Sequence, residues 1–285
     1  MLQHLRTCRW IWLFAGLADI ACLKARDNPQ DPLNPSYLEP TATISLVNGT
    51  VFTSTSLTIT WSGPATAQFR YWLTDSLSQP VLAPHDYSSD SLAAHLTFLD
   101  DGPYQLTVVG RYNASHTDTV ASTANFRVSA VQGPTLKFDR LRIAGTTGQP
   151  LAITIRLANV PPVLSGTLQI SFPGTLMSLD MPGGSSAVTA QVGPGDGLYQ
   201  AILPDFSVPS VVNAANLARS CTITTGFLPT TGTSGLKGTH DIVAVHFRPA
   251  VTGTAPITIT AADFRDPNNN PITIQLAQSA QVTIR

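Results

Sequence analysis

The sequence predicts an all-β protein in which two β-sandwich domains follow a leader and a tether. Two observations support this fold class. Residues 42–132 and 133–285 both consist of short runs of alternating apolar residues, separated by Gly, Pro, Asn and Asp, and no helical period competes with them. Gly133-Pro134 then interrupts the strand pattern, which predicts the boundary between the domains. A chain of 285 residues is long enough for two ordinary domains.

The composition argues against a nucleic-acid partner. Charged residues make up 12% of the chain and hydrophobic residues 43%, whereas about 25% of a typical soluble domain is charged. The formal net charge is -1. Such a chain has no long-range positive field to attract nucleic acid or an anionic membrane surface.

Residues 1–22 are predicted to be an export leader. Arg6 and Arg9 precede an apolar run from Trp10 to Leu17, which is too short to span a bilayer. Two cleavage sites stay open, an ordinary signal-peptidase site near Ala18 and a bacterial lipoprotein site at Cys22. The second is slightly favoured and makes Cys22 the predicted lipidation site. The protein is then expected at the cell envelope or outer surface, held only by its lipid, and otherwise secreted.

Residues 23–41 are rich in Pro, Asn and Asp and lack apolar periodicity, so they are expected to form a disordered tether. Cys8 and Cys22 belong to the leader, which leaves Cys221 as the one cysteine of the mature chain. No intrachain disulfide and no cysteine metal cluster can then form. Cys221 lies in the strand-like run "SCTITTGF" and is expected to be a small buried hydrophobic residue.

The first domain, residues 42–132, contains runs such as "LTITW", "AQFRYWL" and "STANFRVSA". In "LDDGPYQLTVVGRY" a tight turn leads into Tyr104 and an alternating strand. This stretch resembles the corner before the penultimate strand of fibronectin type III and bacterial immunoglobulin-like domains. The resemblance implies an immunoglobulin-like sandwich, in which Trp61 is expected to be a core aromatic.

The second domain, residues 133–285, carries a longer resemblance. The stretch "LAITIRLANVPPVLSGTLQISFPGTLMSL" resembles the second to fourth strands of cohesin domains, and "TSGLKGTHDIVAVHFRPAVTGTAPITITAADFRDPNNNPI" resembles their later motifs in the same order. The resemblance covers about Thr135 to Arg285. It implies a cohesin-like jelly roll of the carbohydrate-binding-module type, which docks a dockerin-bearing protein or a polysaccharide.

Strand alternation predicts which side chains of this domain face inward. In "HDIVAVHF" the Val and Phe side chains are expected in the core, and His240, Ile242 and His246 on the opposite face. Asn159, before Val160-Pro161, is expected to end its strand at a corner, because Asn bonds its own backbone in turns.

The outward positions of "GTLQISF" and of its expected neighbour strands define the predicted partner-binding face. Its residues are neutral and polar: Thr167, Gln169, Ser171, Thr222, Thr224, Thr258 and Thr260. In cohesins the corresponding third strand carries polar and acidic side chains, so this face departs from the family pattern. A neutral face predicts binding with weak salt dependence.

No catalytic residue, cofactor or metal site is expected. His240 and His246 would lie about 20 Å apart along a strand, too far to share a metal ion. The loop "DPNNNP" (266–271) opens like a calcium loop but lacks its sixth-position Gly and its late Glu, so an Asx turn is expected. Two alternatives remain: a structural envelope lipoprotein with spacer domains, and a cryptic glycoside hydrolase whose carboxylates, such as Asp205 and Asp241, meet only in the fold.

Overall fold

The computed structural model describes residues 30–117, 121–230, 235–276 and 279–285. The predicted leader, its lipidation site Cys22 and the first part of the tether lie outside these residues. The chain folds into two compact units. The first comprises the described residues up to Thr50, with Thr58–His95 and Gly102–Arg127, and the second comprises Val51–Leu57, Leu96–Asp101 and Val128–Arg285. The domain limits 42–132 and 133–285 stay predictions.

Nine strands form in the described residues before Ser129. They are β1 (Thr43–Ile44), β2 (Thr50–Phe52), β3 (Leu57–Ser62), β4 (Gln68–Asp75), β5 (Pro80–Leu82), β6 (Ala93–Leu96), β7 (Gly102–Asn113), β8 (His116–Thr117) and β9 (Ser122–Val128). One sheet has the order β1-β3-β6. The other has the order β2-β9-β7-β4-β5, with β8 paired to β7. Alternate residues of these strands are buried, as in Phe69 and Leu73 of β4.

Two large aromatic residues, Trp61 and Tyr104, lie in the core of the first unit, and the burial of Trp61 was predicted. Trp61 is 4% exposed, and its ring centroid lies 5.0 Å from that of Tyr71. Tyr104 is also buried, and its ring stacks on Phe126 at 5.5 Å. Burial of these large rings stabilises a sandwich that has few other aromatic residues in its core.

The last residues of the predicted tether lie against the first unit. The Tyr37 ring contacts the Tyr112 ring edge-on at 6.3 Å, and the Tyr112 hydroxyl donates a hydrogen bond to the Leu38 carbonyl at 2.5 Å. Pro40 is buried. A Cβ at Gly110 would lie 1.4 Å from the Pro40 carbonyl oxygen, so only glycine admits this close approach.

The second unit is built mainly from the strands after residue 134. They are β10 (Thr135–Phe138), β11 (Arg142–Gly145), β12 (Leu151–Val163), β13 (Ser165–Ser171), β14 (Met177–Leu179), β15 (Val188–Ala190), β16 (Leu198–Leu203), β17 (Ser220–Pro229), β18 (Leu236–Pro249), β19 (Gly253–Arg265), β20 (Pro271–Ile272), β21 (Gln275–Leu276) and β22 (Ser279–Ile284). Single 3₁₀ turns occupy Pro182–Gly184 and Pro194–Asp196.

These strands form two sheets that share one hydrophobic core. The first sheet has the order β14-β18-β12-β10-β21, with β15 also paired to β18. The second has the order β11-β22-β19-β13-β17-β16, with β20 paired to β19. Phe138, Ile155, Leu168, Phe227 and Phe247 all belong to the core. The predicted all-β sandwich architecture is therefore confirmed.

A single residue, Leu164, joins strands of different sheets. It follows β12 and precedes β13. Its N–H donates to the Arg265 carbonyl at 2.9 Å, and its carbonyl accepts from the Phe227 N–H at 2.7 Å. Both hydrogen bonds reach strands that flank β13. The backbone of the crossing is therefore fixed on both sides.

One helix, α1 (Pro209–Ala218), lies between β16 and β17 and was not predicted from the sequence. Proline stands in its first turn, where the missing N–H costs nothing. The helix ends at Arg219, which adopts a left-handed conformation with φ of 54°. Its Val, Asn and Ser residues are weak helix formers, and only Val212 is buried. The segment therefore carries little helical periodicity. No helix among the described residues is long and apolar enough to cross a membrane.

The predicted corner at Asn159 is wrong, because β12 continues through "NVPP" to Val163. The register with β18 shifts between Leu157 and Val160 and again before Val163. Asn159 has a φ of 54°, and its N–H donates to Thr239 Oγ1 at 3.1 Å. Asparagine tolerates this left-handed conformation. The residue therefore shapes a bulge in a continuous strand.

A second bulge, in β18, changes which face of the strand each of the two histidines occupies. Asp241 pairs with Arg156 and Val243 with Ile155, so Ile242 is an extra residue, and it is fully buried. The prediction that Ile242 faces outward is wrong. His246 pairs with exposed Ala152, whereas His240 pairs with buried Leu157. The two histidines therefore lie on opposite faces of β18.

Candidate partner-binding face

The structure brings the predicted face together on three adjacent strands, with β13 between β17 and β19. Thr167 pairs with Thr224, Gln169 with Thr222, and Ser171 with Thr258. The intervening residues of β13, such as Leu168, are buried. The seven predicted residues therefore share the outer surface of this sheet, here called the hydroxyl face: Thr167, Gln169, Ser171, Thr222, Thr224, Thr258 and Thr260.

Side chains of the hydroxyl face bond to one another across the strands. The hydroxyls of Thr167 and Thr224 lie 3.0 Å apart. Thr260 Oγ1 donates to Gln169 Oε1 at 3.1 Å. A hydroxyl has one donor and two acceptor sites, so each of these groups retains capacity for a further hydrogen bond. The side chains of this face are therefore ordered and retain unused hydrogen-bonding capacity.

A bulge in β19 adds charged residues that the alternation did not predict. Ile170 pairs with Ile259, but Gln169 pairs with Ala261, so Thr260 is the extra residue. The bulge turns Asp263 outward, where it pairs with Thr167 in register. Asp263 forms a salt bridge with Arg265 at 2.9 Å. The two charges cancel, and the face keeps no net charge.

Three large exposed apolar residues border the hydroxyl face. Tyr199 is 61% exposed, Leu203 62% and Leu228 50%. Tyr199 and Leu228 are cross-strand partners, and Leu203 pairs with Thr224 of the hydroxyl face. These three residues, here called the apolar corner, were missed because "GLYQAIL" has large apolar residues on both of its faces. Alternation alone could not decide which face is buried.

Gln200 fixes the orientation of β16, because its side chain is the group that enters the core. It is 7% exposed. Its Oε1 accepts from the N–H groups of Gln191 at 3.2 Å and Val192 at 3.0 Å. Its Nε2 donates to Thr225 Oγ1 at 2.9 Å and to the Ile242 carbonyl at 2.7 Å. A fully bonded amide is stable in the interior, and its inward position turns Tyr199 and Leu203 to solvent.

The carboxylates of the hydrolase alternative are held in local contacts. Asp241 accepts two hydrogen bonds from the Arg156 guanidinium, at 2.7 and 3.2 Å. Asp205 Oδ1 accepts from the hydroxyl and the N–H of Ser207 at 2.6 and 2.9 Å. These hydrogen bonds lower the pKa of Asp205.

The calcium-like loop is an Asx turn, as expected. Asp266 accepts hydrogen bonds from the N–H groups of Asn268 and Asn270 at 2.8 and 2.7 Å, and from the Asn270 amide at 3.0 Å. The Asn270 side chain contributes most to lowering the pKa of Asp266. Within the described ranges, no cluster of three or more His, Cys, Asp or Glu side chains is arranged to hold a metal ion.

Burial shifts the pKa of two further titratable groups. Cys221 is buried as expected, and burial raises the pKa of its thiol to about 12, which keeps it unreactive. His246 is half-buried beside Thr189, with 3.2 Å between Nε2 and Oγ1. Burial lowers the pKa of His246, so the folded protein favours the neutral imidazole.

No family model and no curated protein matches this chain. Solved structures do match part of it. The similar structures are cohesin domains. A type II cohesin domain from the cellulosome of Acetivibrio cellulolyticus is 12% identical, with a TM-score of 0.40, and the match covers 53% of this chain and 95% of that one. A non-cellulosomal cohesin from Archaeoglobus fulgidus is 14% identical, with a TM-score of 0.37, covering 54% and 91%.

A third match is the type I cohesin–dockerin complex from Clostridium thermocellum, at 15% identity and a TM-score of 0.38, covering 54% of this chain and 94% of that one. The similarity to cohesin domains predicted from the sequence is thus also found among solved structures, over about half of the chain.

Proposed function

We propose that this protein is a non-catalytic binding protein whose second unit docks a protein partner through the outer surface of β16, β17, β13 and β19. The observation that carries the proposal is the apolar corner beside the hydroxyl face. Large exposed apolar residues rimmed by polar groups are typical of protein interaction sites. Burying one exposed leucine contributes about 1.5–3 kcal/mol, and the hydroxyls add hydrogen bonds of about 0.5–1.5 kcal/mol each.

A dockerin-bearing protein is the partner class to test first, because the motif order of residues 135–285 resembles that of cohesin domains. The apolar corner favours a protein over a polysaccharide as the ligand of this surface. Leu228 pairs with Tyr199, and Leu203 lies farther along β16, opposite Thr224. All three side chains are exposed, and aliphatic side chains pack well against a protein surface. With Asp263 paired to Arg265, binding is expected to depend only weakly on salt.

The decisive experiment compares two exposed leucines. Leu203→Arg places a charge in the apolar corner and is expected to weaken binding of the full chain to purified type I or type II dockerins by about tenfold or more. Leu217→Arg is the matched control, because Leu217 is 87% exposed on α1, outside the four strands of the proposed surface. It should change the affinity less than twofold. Titration calorimetry measures both variants.

Substitutions within the hydroxyl face complete this test. Gln169→Arg and Thr167→Arg should also weaken binding while leaving the fold intact, since exposed strand positions tolerate a long polar side chain. Unchanged affinity in Leu203→Arg, Gln169→Arg and Thr167→Arg would exclude this surface. Failure of both dockerin types to bind would contradict the partner class and favour the alternative of spacer domains.

We also propose that the protein is exported and anchored by a lipid on Cys22. This rests on Arg6, Arg9 and the apolar run that follows them. Cys22→Ser is expected to release the protein from membranes into the soluble fraction, which fractionation and immunoblotting measure. An unmodified mature N-terminus before Cys22 in mass spectrometry would contradict the anchor.

A further inference from the structure

Two arginines of the first unit surround one tyrosine ring. Arg111 Cζ lies 3.9 Å from the Tyr87 ring centroid, and Arg70 Cζ lies 5.9 Å from it. Arg111 Nε also donates to Gln68 Oε1 at 3.2 Å. Cation–π contacts and this hydrogen bond hold the two guanidinium groups in place on a shared surface.

These residues lie on the outer face of the β9-β7-β4 sheet. Gln68 pairs with Arg111, Arg70 with Val109, and Trp72 with Thr107. Phe69 and Leu73, at the alternate positions of β4, are buried, so the first set points outward. On β9, Arg127 and Asn125 are exposed, and Gln105 Nε2 donates to Asn125 Oδ1 at 3.1 Å. We call this surface the arginine face; its residues are Gln68, Arg70, Trp72, Gln105, Arg111, Asn125, Arg127 and the overlying Tyr87.

Within the described part of the chain, no acidic side chain balances the charge of the arginine face. The outward positions of β4, β7 and β9 hold no Asp or Glu. No described carboxylate forms a salt bridge with Arg70, Arg111 or Arg127. Asp75, at the end of β4, accepts from the N–H groups of Leu77 and Gln79. Asp86 precedes Tyr87 without pairing to either arginine. Like charges held together in this way favour a bound anion.

We infer that the arginine face binds an anionic polysaccharide bearing carboxylate or sulfate groups. A guanidinium fork matches such groups with two parallel hydrogen bonds. The amides of Gln68, Gln105 and Asn125 supply donors and acceptors for sugar hydroxyls, and the half-buried Trp72 ring offers an apolar surface for a sugar ring.

Polysaccharide is favoured over nucleic acid because the charged groups are few and are interleaved with amides and hydroxyls. The whole chain has a net charge of -1, which gives little attraction for a polyphosphate. The arginine face belongs to the first unit and the hydroxyl face to the second. Loss of one binding activity would therefore leave the other to be tested separately.

The test uses affinity electrophoresis of the full chain in gels that contain polygalacturonate, heparin or neutral hydroxyethylcellulose. Retardation is expected with polygalacturonate or heparin and not with the neutral polymer. Arg70→Gln combined with Arg111→Gln should weaken binding by about tenfold or more, since each charged hydrogen bond contributes substantially. Arg140→Gln combined with Arg248→Gln removes the same charge from exposed positions of the second unit and should retain binding.

Further variants distinguish the bidentate geometry of the guanidinium group from the effect of its charge alone. Arg111→Lys keeps the charge and is expected to fold but to bind more weakly, because lysine lacks the planar fork. Melting curves establish that each variant is folded. The inference is overturned if neither charged polymer retards the protein, if the control pair loses binding equally, if Arg111→Lys binds fully, or if poly-glutamate or single-stranded DNA binds more tightly than both polysaccharides.

Discussion

Replacing Gln200 by leucine is expected to destabilise the second unit by about 3–5 kcal/mol, because several buried polar groups lose their partner at once. The N–H groups of Gln191 and Val192, the Thr225 hydroxyl and the Ile242 carbonyl would all be left without the amide. Leucine has nearly the volume of glutamine, so the loss reports the hydrogen bonds rather than a cavity.

Urea unfolding followed by circular dichroism measures this loss. The two tryptophans among the described residues, Trp61 and Trp72, belong to the first unit. Their fluorescence reports that unit and should show an unchanged midpoint. Gln169→Leu makes the same chemical change on the hydroxyl face and is expected to cost no more than about 0.5 kcal/mol. Equal losses in the two variants would show that the buried amide does not stabilise the fold as described.

Gly166→Ala is expected to cost about 3 kcal/mol, because the added methyl group overpacks the core. A Cβ at Gly166 would lie 2.1 Å from Phe264 Cδ1. Phe264 is the cross-strand partner of Gly166 and is fully buried, so its ring has no solvent to move into. Gly226→Ala is the control, since a Cβ there meets nothing within 4 Å.

A double-mutant cycle attributes the cost of Gly166→Ala to the phenylalanine ring. Phe264→Leu shortens the side chain, so the double variant should be more stable than the sum of the single losses predicts, by about 1 kcal/mol or more. Strict additivity of the two changes, measured by urea unfolding, would place the strain elsewhere.

The sequence predicted correctly which side chains enter the core wherever apolar and polar residues alternate along a strand without interruption. In β13, Leu168 and Ile170 enter the core, and Thr167, Gln169 and Ser171 face outward, because a side-chain period of two leaves one choice when a single face is apolar. The pairing of β13 with β17 then placed Thr222 and Thr224 beside them. Together, β13 and the threonines of β17 make up most of the hydroxyl face.

Bulges account for most of what the sequence did not predict. One extra residue reverses the facing of everything beyond it, so Ile242 enters the core and Asp263 turns outward although neither fits the simple alternation. The orientation of β16 could not be predicted for a different reason. Gln200 is buried and Tyr199 exposed, an order that depends on four hydrogen bonds to groups outside β16. Such partners are not visible in the alternation of the strand itself.

The one-residue crossing at Leu164 bears on how the hydroxyl face meets a partner. Both backbone groups of Leu164 are hydrogen-bonded to flanking strands. These bonds fix the position of the first residues of β13. The hydroxyl groups of β13 are thus fixed in position in the free protein. The backbone of β13 therefore loses little conformational entropy on the proposed association. For the binding proposed above, rigidity at this crossing predicts slow dissociation rather than fast capture, because the face has no net charge to speed association.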